Sequence, residues 1–244
     1  AADGPQGRGS TLMISRDYHT HTFYSHGKGT PEEIVLAAIS MGLDTVAISE
    51  HGPGHMFYGV RGEKLRELRK EVDRLARRYA YKIQVLMGIE CNLTGFGKCD
   101  LPEDMLDMFD VRLLAFHKGA PAADLFGLRR NMESLHIWPP EPEKTALALL
   151  EAGEKYKIDI FAHPGLYVKS HIPTLAKGAK ELGIKLEING ARTTMTPEQM
   201  RQAVNAGAEL IIGSDAHCPE RVGDDSLAYA AAKEAGVLPS VVNI

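Results

Sequence analysis

The stretch Asp-Tyr-His-Thr-His-Thr-Phe-Tyr-Ser-His-Gly, residues 17–27, places three imidazoles within eight residues, directly after the apolar run Leu12-Met13-Ile14. We interpret the apolar run as a strand. One residue separates His19 from His21, so both side chains point to the same side of an extended backbone and can bind one metal ion together. His26 follows a short Tyr-Ser turn and is predicted to serve a neighbouring site or to bind no metal. A loop with surface histidines is the alternative, and the rest of the chain decides between them.

Beyond this stretch, short apolar strands alternate with helices. The sequences Thr30-Pro31-Glu32-Glu33 and Thr196-Pro197-Glu198-Gln199 have the pattern of capping boxes, and each predicts the start of a helix. Further strands are predicted over residues 44–49, 82–87, 111–115, 158–162, 184–188 and 209–212. Helices are predicted over 30–41, 63–79, from 102 onward, and over 141–156, 173–182, 196–207 and 226–235, with an irregular region at 131–140. Seven strands alternating with helices predict a parallel α/β sheet, either closed as a barrel or doubly wound.

Length and composition limit the classes of function. The chain has 244 residues, 44% of them hydrophobic, so it can bury a sizeable core, and we expect one domain over residues 12–244. Its 28 basic and 32 acidic residues give a net charge of −4, which supplies no overall field to attract nucleic acid or an anionic membrane. A nucleic-acid role would therefore need a local basic patch.

Cysteine usage and the N-terminal residues indicate a cytoplasmic location. Cys91, Cys99 and Cys218 are odd in number and contain no Cys-x-x-Cys pair, so neither a disulfide framework nor a thiolate zinc site is expected. No apolar run is long enough to cross a bilayer. Residues 1–11 are expected to be a polar tail, disordered or left by expression, and not a signal peptide. Because the chain does not begin with Met, processing or excision from a longer protein stays open.

One candidate basic patch lies on the helix predicted over residues 63–79. Its outer face carries many arginines and lysines, which is one way to bind nucleic acid. Glu63, Glu67, Glu71 and Asp73 interleave with them. The sequence therefore favours a solvent-exposed helix with ion pairs between residues four positions apart.

Side chains able to bind a metal follow six of the seven predicted strands. In strand order the polar residues are His19 and His21, His51, Glu90, His117, His163, Asn189, and Asp215 with His217. In an α/β barrel the carboxyl ends of the strands converge on one mouth, where functional residues lie. We therefore expect one site built from these side chains.

With His26, the candidate ligands are seven histidines, one Glu and one Asp. Imidazole and carboxylate without thiolate are typical of zinc, manganese or iron sites. Nine ligands are too many for one ion, so at least two divalent ions are expected, and three with a bridging carboxylate fit the count. Multi-metal sites with open positions serve hydrolysis, since two ions together generate a hydroxide and stabilise the leaving oxygen.

The ordered set of motifs resembles the PHP superfamily of metal-dependent phosphoesterases, named for polymerase and histidinol phosphatase. The matching residues are His19-Thr20-His21, Glu50-His51, Glu90, His117, His163-Pro164 and Asp215-Ala216-His217. The match spans residues 13 to about 220, nearly the whole chain. The resemblance implies a distorted, TIM-like barrel of seven β/α units in a single domain, with three divalent ions, zinc favoured over manganese or iron.

The resemblance also implies a distribution of the ligands. The first ion would be held by His19, His21, Glu90 and Asp215, with Glu90 bridging; the second by Glu90, His117 and His163; the third by His26, His51 and His217. Glu50 stands where the family often has Asp, and it is expected to orient an imidazole without binding metal. The chain length corresponds to a PHP module without an attached polymerase.

We expect a metal-bridging hydroxide to attack a phosphate monoester at this centre, with Glu90 and Asp215 as its central carboxylates. Arg192 is predicted to orient the phosphate, because a guanidinium binds phosphate through two hydrogen bonds. Lys118 and Lys28 are lesser candidates. His55 is expected to hydrogen-bond the substrate or to protonate the leaving group.

Several other residues are expected to have structural roles. Asp17 is predicted to accept a hydrogen bond from a histidine N–H. His136 and His171 are expected at the surface or in structural contacts. Cys91 and Cys218 each follow a ligand and face away from it in an extended segment, so they are interpreted as small buried residues. Trp138 is predicted to anchor a loop.

Three functions stay open. The leading hypothesis is a phosphatase for a small phosphorylated substrate, such as histidinol phosphate or a nucleotide-like ester. The second is a 3′-5′ exonuclease on single-stranded nucleic acid, which the basic helix face favours and the acidic balance opposes. The third is a metal-stabilised scaffold without turnover, which the complete ligand set opposes. No membrane partner is expected, and the sequence leaves the oligomeric state open.

Overall fold

The structure is a computed structural model, and it describes residues 14–244. The tail expected over residues 1–11, together with Leu12 and Met13 of the first apolar run, lies outside the described residues. Within 14–244, no helix is long and apolar enough to cross a membrane.

Strands and helices alternate along the described chain, in agreement with the prediction. The position predicted for the first strand was wrong at Ile14, because this strand begins only at Arg16, where it pairs with Thr45. The strands are β1 (Arg16–Thr20), β2 (Thr45–His51), β3 (Gln84–Gly95), β4 (Lys98–Cys99), β5 (Val111–Ala115), β6 (Ile160–Phe161), β7 (Lys185–Asn189) and β8 (Leu210–Gly213). The helices are α1 (Pro31–Met41), α2 (Glu63–Tyr79), α3 (Leu125–Ser134), α4 (Pro142–Lys155), α5 (Ile172–Leu182), α6 (Pro197–Asn205) and α7 (Ser226–Ala235). Short 3-10 helices cover Glu103–Met108, Pro219–Arg221 and Leu238–Ser240.

The sheet follows the order of the chain. Its strands are arranged β1-β2-β3-β5-β6-β7-β8 and all pair in parallel, while β4 pairs antiparallel with β3. An isolated parallel bridge connects Thr20 of β1 with Ala216, three residues beyond the end of β8. The sheet is therefore a nearly closed barrel. This confirms the distorted (β/α)7 TIM-like barrel and rules out the doubly wound alternative.

Alternating side chains along each strand pack on opposite sides of the sheet. In β2, Val46 and Ile48 belong to the large core, which also contains the buried faces of the helices. Ala47 between them packs in a smaller cluster with Leu113 of β5 and Ile160 of β6. This smaller cluster fills the inside of the barrel with apolar side chains and leaves the polar residues at the carboxyl ends of the strands.

The helix signals in the sequence are mostly confirmed. Both predicted capping boxes are present, with the Thr30 and Thr196 hydroxyls accepting from the backbone N–H groups of Glu33 and Gln199. The apolar stripe of α2 is buried along its length. The predicted helix after Pro102 is instead a 3-10 helix of six residues.

Strand β3 is longer than the sequence predicted. The expected end near Gly88 was wrong, because β3 continues to Gly95 and carries Glu90 in its interior. Gly88 does not interrupt the strand. It makes room for Ser49, whose Oγ would lie 2.1 Å from a Cβ at this position. The added length pairs Asn92 with Ala115 of β5 and forms a hairpin with β4.

Helix α3 occupies part of the segment expected to be irregular. It begins at Asp124, whose carboxylate accepts from the backbone N–H of Gly127 at 2.9 Å. Its buried face consists of Gly127, Arg130, Glu133 and Ser134, whereas Leu125 and Leu128 are exposed. This polar buried face gives no apolar helical period, which is why the helix was missed.

Candidate metal centre

The candidate ligands come together at the carboxyl ends of the barrel strands. His19 lies in β1, His51 ends β2, Glu90 lies in β3, and His117, His163 and Asp215 each lie two residues beyond their strands, while His21, His26 and His217 lie in the adjoining loops. Apart from His26 and His217, these residues are buried or mostly buried. The barrel geometry thus places all nine candidates in one region.

Four side chains surround the first expected ion position. The Nε2 atom of His19 lies 3.3 Å from Glu90 Oε1 and 3.6 Å from Asp215 Oδ1. The Nε2 atom of His21 lies 3.6 Å from Glu90 Oε2 and 3.4 Å from Asp215 Oδ1. A tetrahedral ion with bonds of about 2.0–2.2 Å separates its ligands by roughly 3.3–3.6 Å. These side chains therefore fit a single ion with little movement.

Buried ring nitrogens without partners support the same conclusion. His19 Nε2, both nitrogens of His21 and Nδ1 of His51 make no hydrogen bond. An unpartnered buried polar atom is costly, and such atoms are rare in folded proteins. Here several converge on two carboxylates, an arrangement that a divalent cation satisfies and hydrogen bonding alone does not.

Glu90 is the centre of the cluster. Its Oε1 lies 3.2 Å from His117 Nε2 and 2.7 Å from His163 Nε2. Its Oε2 lies 2.9 Å from His51 Nδ1, although the two atoms are not in hydrogen-bonding geometry. With His19 and His21, this makes five imidazoles around one carboxylate. The position fits the bridging role that the resemblance assigned to Glu90.

The remaining histidines form a group at the outer side of the cluster. The ring centroid of His217 lies 4.4 Å from that of His26 and 4.4 Å from that of His21, and His26 lies 4.8 Å from His51. His26, which the sequence left between a ligand role and none, is thus placed beside His51 and His217. His51 faces both this group and Glu90.

The electrostatics of the cluster favour the metal-binding protonation states of Glu90 and His21. Burial alone would raise the pKa of Glu90, but His117, His19 and His51 outweigh it and hold that pKa well below its usual value. Burial lowers the pKa of His21 well below its usual value, helped by the neighbouring His51 and His217. An ionised carboxylate and a neutral imidazole are the forms that bind metal.

Glu187 is a site residue that the sequence analysis missed. It lies in β7, is buried, and accepts from His19 Nδ1 at 2.7 Å. Its other oxygen accepts from the backbone N–H of His163 at 2.8 Å and from Asn189 Nδ2 at 3.0 Å. Burial would lower the pKa of His19, but Glu187, Glu90 and Asp215 raise it well above its usual value. The only signal for Glu187 was a lone acid within an apolar strand.

Two candidate ligands have backbone conformations that favour glycine. His163 has φ 30° and Asp215 has φ 51°. Such left-handed conformations are costly for residues with a Cβ, and they persist where the surroundings hold them in place. The hydrogen bond from His163 N–H to Glu187 is one such constraint. Asn189 is another, since its Nδ2 donates to Asp215 Oδ2 at 3.2 Å.

Asp17 and Glu50 differ from their expected roles. Asp17 accepts from the backbone N–H groups of His19, Ser214 and Gly223 and from no imidazole. Glu50 lies 3.9 Å from His21 Nδ1, too far for a hydrogen bond, and instead accepts from Thr22 and Ser25. Both carboxylates therefore fix loop backbone next to the ligands, and neither orients a ring directly.

A cavity of about 200 Å³ opens above the cluster. Arg192 and Lys118 line it, together with the apolar and aromatic side chains of Tyr58, Leu166 and Tyr167. The Lys118 ammonium lies 5.3 Å from the ring centroid of Tyr167. Lys28 is exposed and does not line this cavity. Of the three predicted phosphate-binding cations, the structure thus places two beside the ligands.

His55 lines the cavity, but both of its ring nitrogens have backbone partners. Nε2 donates to the Lys118 carbonyl at 2.9 Å, and Nδ1 accepts from the N–H groups of Phe57 and Tyr58 at 3.3 and 3.1 Å. Donation of a proton to a leaving group would break one of these bonds. The arrangement therefore disfavours the acid role expected for His55 and connects it to the loop of Lys118.

The remaining predicted structural residues are mostly where expected. His136 and His171 are exposed, and Cys91 is buried. Cys218 is only partly buried, because it lies in the loop after β8, so the expectation of a buried residue there was wrong. Trp138 is 41% exposed and has the Arg129 guanidinium 5.4 Å from its ring centroid.

The chain is similar to known proteins of one family. The PHP domain family model matches residues 17–181. A probable phosphatase of Shewanella sediminis is 30% identical over 236 residues, which cover 90% of this chain and 85% of that protein. The DNA polymerase/3′-5′ exonuclease PolX of Bacillus subtilis is 26% identical, and the aligned region covers 91% of this chain but only 37% of PolX.

The fold has a similar relative among solved structures. Histidinol phosphate phosphatase from Lactococcus lactis, solved with zinc, L-histidinol and phosphate, superposes with a TM-score of 0.63 at 17% identity, covering 93% of this chain and 94% of that one. The family match, the motifs and the geometry agree. The chain belongs to the PHP domain family.

Proposed function

We propose that this protein is a metal-dependent phosphatase that hydrolyses a small phosphate monoester at a centre of three divalent ions. Its family membership and its similarity to phosphatases make the chain a hydrolase of the phosphoesterase class. The observation that carries the proposal is the buried carboxylate of Glu90, with imidazoles of five histidines around it and unpartnered ring nitrogens beside it.

The side chains divide into three sets of ligands. His19, His21 and Asp215 hold the first ion with Glu90; His117 and His163 hold the second with Glu90; His26, His51 and His217 hold the third. The distances to Glu90 and Asp215 support the first two sets. The ring contacts of His26 with His51 and His217 support the third, although the ring nitrogens that converge there are those of His21, His51 and His217. Zinc suits these ligands, and manganese or iron are the alternatives.

The bound ions supply positive charge that stabilises phosphoryl oxygens and lowers the pKa of a water molecule. The chain itself supplies binding and orientation. Arg192 and Lys118 face the cavity from two different loops and provide cations for the phosphate oxygens. His55 holds the Lys118 loop through its Nε2–H. Glu187 and Asn189 keep His19 and Asp215 aimed at the cluster.

The cavity supports a small substrate. A volume of about 200 Å³ accommodates a phosphate group and a compact leaving group between Tyr58, Leu166 and Tyr167. A histidinol-phosphate-like ester or a nucleotide-like ester fits this description. The ligands present in the structure of the Lactococcus lactis enzyme support the first of these.

A nuclease is the second candidate, because of the similarity to PolX. The basic face of α2 gives it little support, since most of its arginines are paired with acids and only Arg77 has no such partner among the described residues. Arg66 pairs with Glu63, Arg69 with Asp73 and Asp110, and Arg74 with Glu71 and Glu32. This bears out the paired helix predicted from the sequence, although most pairs within the helix are three residues apart.

The test is a substrate screen with metal-free and reconstituted protein. Metal is removed by chelation and dialysis, then Zn²⁺ or Mn²⁺ is added back, and p-nitrophenyl phosphate, histidinol phosphate, nucleotide monophosphates and single-stranded DNA are compared. Glu90→Gln serves as the inactive control. We expect metal-dependent release of phosphate from monoesters. Shortening of DNA without monoester hydrolysis would instead establish the nuclease, and full activity without metal would refute both.

A further inference from the structure

The imidazole of His117 is connected to a carboxylate outside the metal centre. Its Nδ1 lies 2.7 Å from Oδ1 of Asn92, which is buried in the extension of β3. The Nδ2 group of Asn92 donates in turn to Oδ2 of Asp100. Asp100 directly follows β4, and its backbone N–H donates to the Asn92 carbonyl. The β3–β4 hairpin thus brings Asp100, Asn92 and His117 into one chain of hydrogen bonds.

The direction of these hydrogen bonds is determined by Asp100. Its Oδ1 accepts from the backbone N–H of Asn92 at 2.8 Å, and its Oδ2 also accepts from the backbone N–H of Gly54 at 2.9 Å. Both oxygens therefore face N–H donors, as an ionised carboxylate requires. The Asp100 oxygen that faces the Asn92 amide can only accept, so the NH₂ group of Asn92 must point toward it. The carbonyl end of Asn92 then faces His117 and can only accept.

We propose that Asp100 is a positioning residue that sets the tautomer of His117 through Asn92. Because Asn92 Oδ1 accepts, His117 must carry its proton on Nδ1, which leaves the lone pair of Nε2 directed at Glu90 Oε1, 3.2 Å away. That is the form in which His117 binds a cation. This inference rests on the proposed function only in treating His117 as a metal ligand.

The loop after β2 is shaped to receive the Asp100 carboxylate. A Cβ on Gly52 would lie 2.5 Å from Asp100 Oδ1, and one on Gly54 would lie 2.5 Å from its Cβ. Only residues without a side chain allow this approach at both positions. The same carboxylate therefore contacts the loop between His51 and His55 and aligns Asn92, so it connects two parts of the site.

The test uses two variants that interrupt the series of hydrogen bonds from Asp100 to His117 at different points. Asp100→Asn keeps the shape but replaces one acceptor oxygen with an NH₂ group, so the Asn92 amide is no longer held in one orientation. Asn92→Ala removes the middle of the chain and leaves the Gly54 contact to Asp100. Imidazole ¹H–¹⁵N spectra of the metal-free proteins report which ring nitrogen of His117 is protonated, with the signal assigned from His117→Gln.

We expect the wild-type His117 to be protonated on Nδ1, and both variants to show a mixture or the Nε2–H form. In a competition against a chromogenic chelator, one Zn²⁺ ion per chain should bind about 10- to 100-fold more weakly in both variants, as is typical for loss of a residue that orients a ligand. The double variant should bind Zn²⁺ no more weakly than either single variant, because all three variants interrupt the same series of hydrogen bonds.

Asp124→Asn is the matched control. Asp124 also accepts from two backbone N–H groups, those of Gly127 and Phe96, and lies against a glycine of the same hairpin, but it contacts no imidazole. This variant should keep the His117 tautomer and the metal affinity. An unchanged tautomer in both Asp100→Asn and Asn92→Ala would overturn the proposal, and so would the same change in Asp124→Asn. Since the spectra are taken without metal, they stand even if the phosphatase assay fails.

Discussion

Glu187 shares its two carboxylate oxygens among three parts of the centre, the ring of His19, the backbone of His163 and the amide of Asn189. Glu187→Gln keeps the shape of the side chain but replaces one acceptor oxygen with an NH₂ group, which then faces the N–H donor of His19 or of His163. We expect metal affinity to fall about 10- to 100-fold, because the ring of His19 loses its orienting acceptor. Titration of the metal-free protein with Zn²⁺ measures the affinity. Glu181→Gln, an exposed change on α5, should leave affinity unaltered, and an unaltered affinity in Glu187→Gln would remove Glu187 from the site.

Arg192 is the predicted phosphate ligand from the loop after β7. Its removal in Arg192→Ala should raise KM for p-nitrophenyl phosphate about 10-fold or more, since a hydrogen bond to a charged group contributes ~1.5–3 kcal/mol. The metal content should not change. Steady-state kinetics test this, with Arg201→Ala as the control, because Arg201 is exposed on α6 and pairs with Glu198. Equal KM values in all three proteins would show that Arg192 does not bind the phosphate.

At the scale of single residues, the candidate ligands could be picked out from the sequence more readily than the groups that hydrogen-bond to them. His19, His21 and His163 could be predicted because they lie at the carboxyl ends of strands, and these ends converge on one mouth in a barrel. Glu187 and Asn92 were not, because each lies inside an apolar strand and its partner is distant in the chain: Glu187 is 168 residues from His19. Barrel closure brings Glu187 to His19, and the pairing of β3 with β5 brings Asn92 to His117.

The elements of the fold depend on local signals to different degrees. Helices α1 and α6 were predicted because capping boxes and apolar stripes act within one or two turns. Strand β3 and helix α3 were not, since the end of β3 depends on pairing with β5 and α3 buries polar residues. Tertiary contacts override the local pattern in both elements.

The contact between α3 and the β3 extension can be tested at Gly127. A Cβ there would lie 1.9 Å from the backbone oxygen of Thr94, which cannot move without shifting the strand. Gly127→Ala should therefore lower the free energy of unfolding by about 1–3 kcal/mol. In Gly178→Ala on α5 the Cβ would meet only the flexible end of Leu150, so the cost should be smaller. Urea denaturation compares the two, and equal effects would contradict this packing.

At the level of the whole barrel, the seam between β1 and β8 is closed by few contacts. At the carboxyl ends, His21 N–H donates to the Ala216 carbonyl at 2.8 Å. At the other end, the buried side chain of Asn243 donates to the carbonyls of Arg16 and Ile212 and accepts from the N–H of Ile212. This seam sets the register between His19 and Asp215, which lie on opposite sides of it.

Replacing Asn243 by Leu should leave these buried backbone groups without partners. We expect a loss of roughly 1–3 kcal/mol per unsatisfied group in the free energy of unfolding. Asn205→Ala, on the exposed end of α6, should change stability by only about 0.5 kcal/mol or less. Thermal and urea unfolding of metal-free protein measure both, and a stability of Asn243→Leu equal to wild type would show that the seam does not depend on Asn243.

The most direct test of the account is a titration of the metal-free protein with Zn²⁺ or Mn²⁺, in which bound metal and p-nitrophenyl phosphate hydrolysis are measured in the same samples. The account predicts binding that saturates at three ions per chain, with hydrolysis rising as the sites fill. Saturation at one ion, or hydrolysis that does not depend on the metal added, would contradict it.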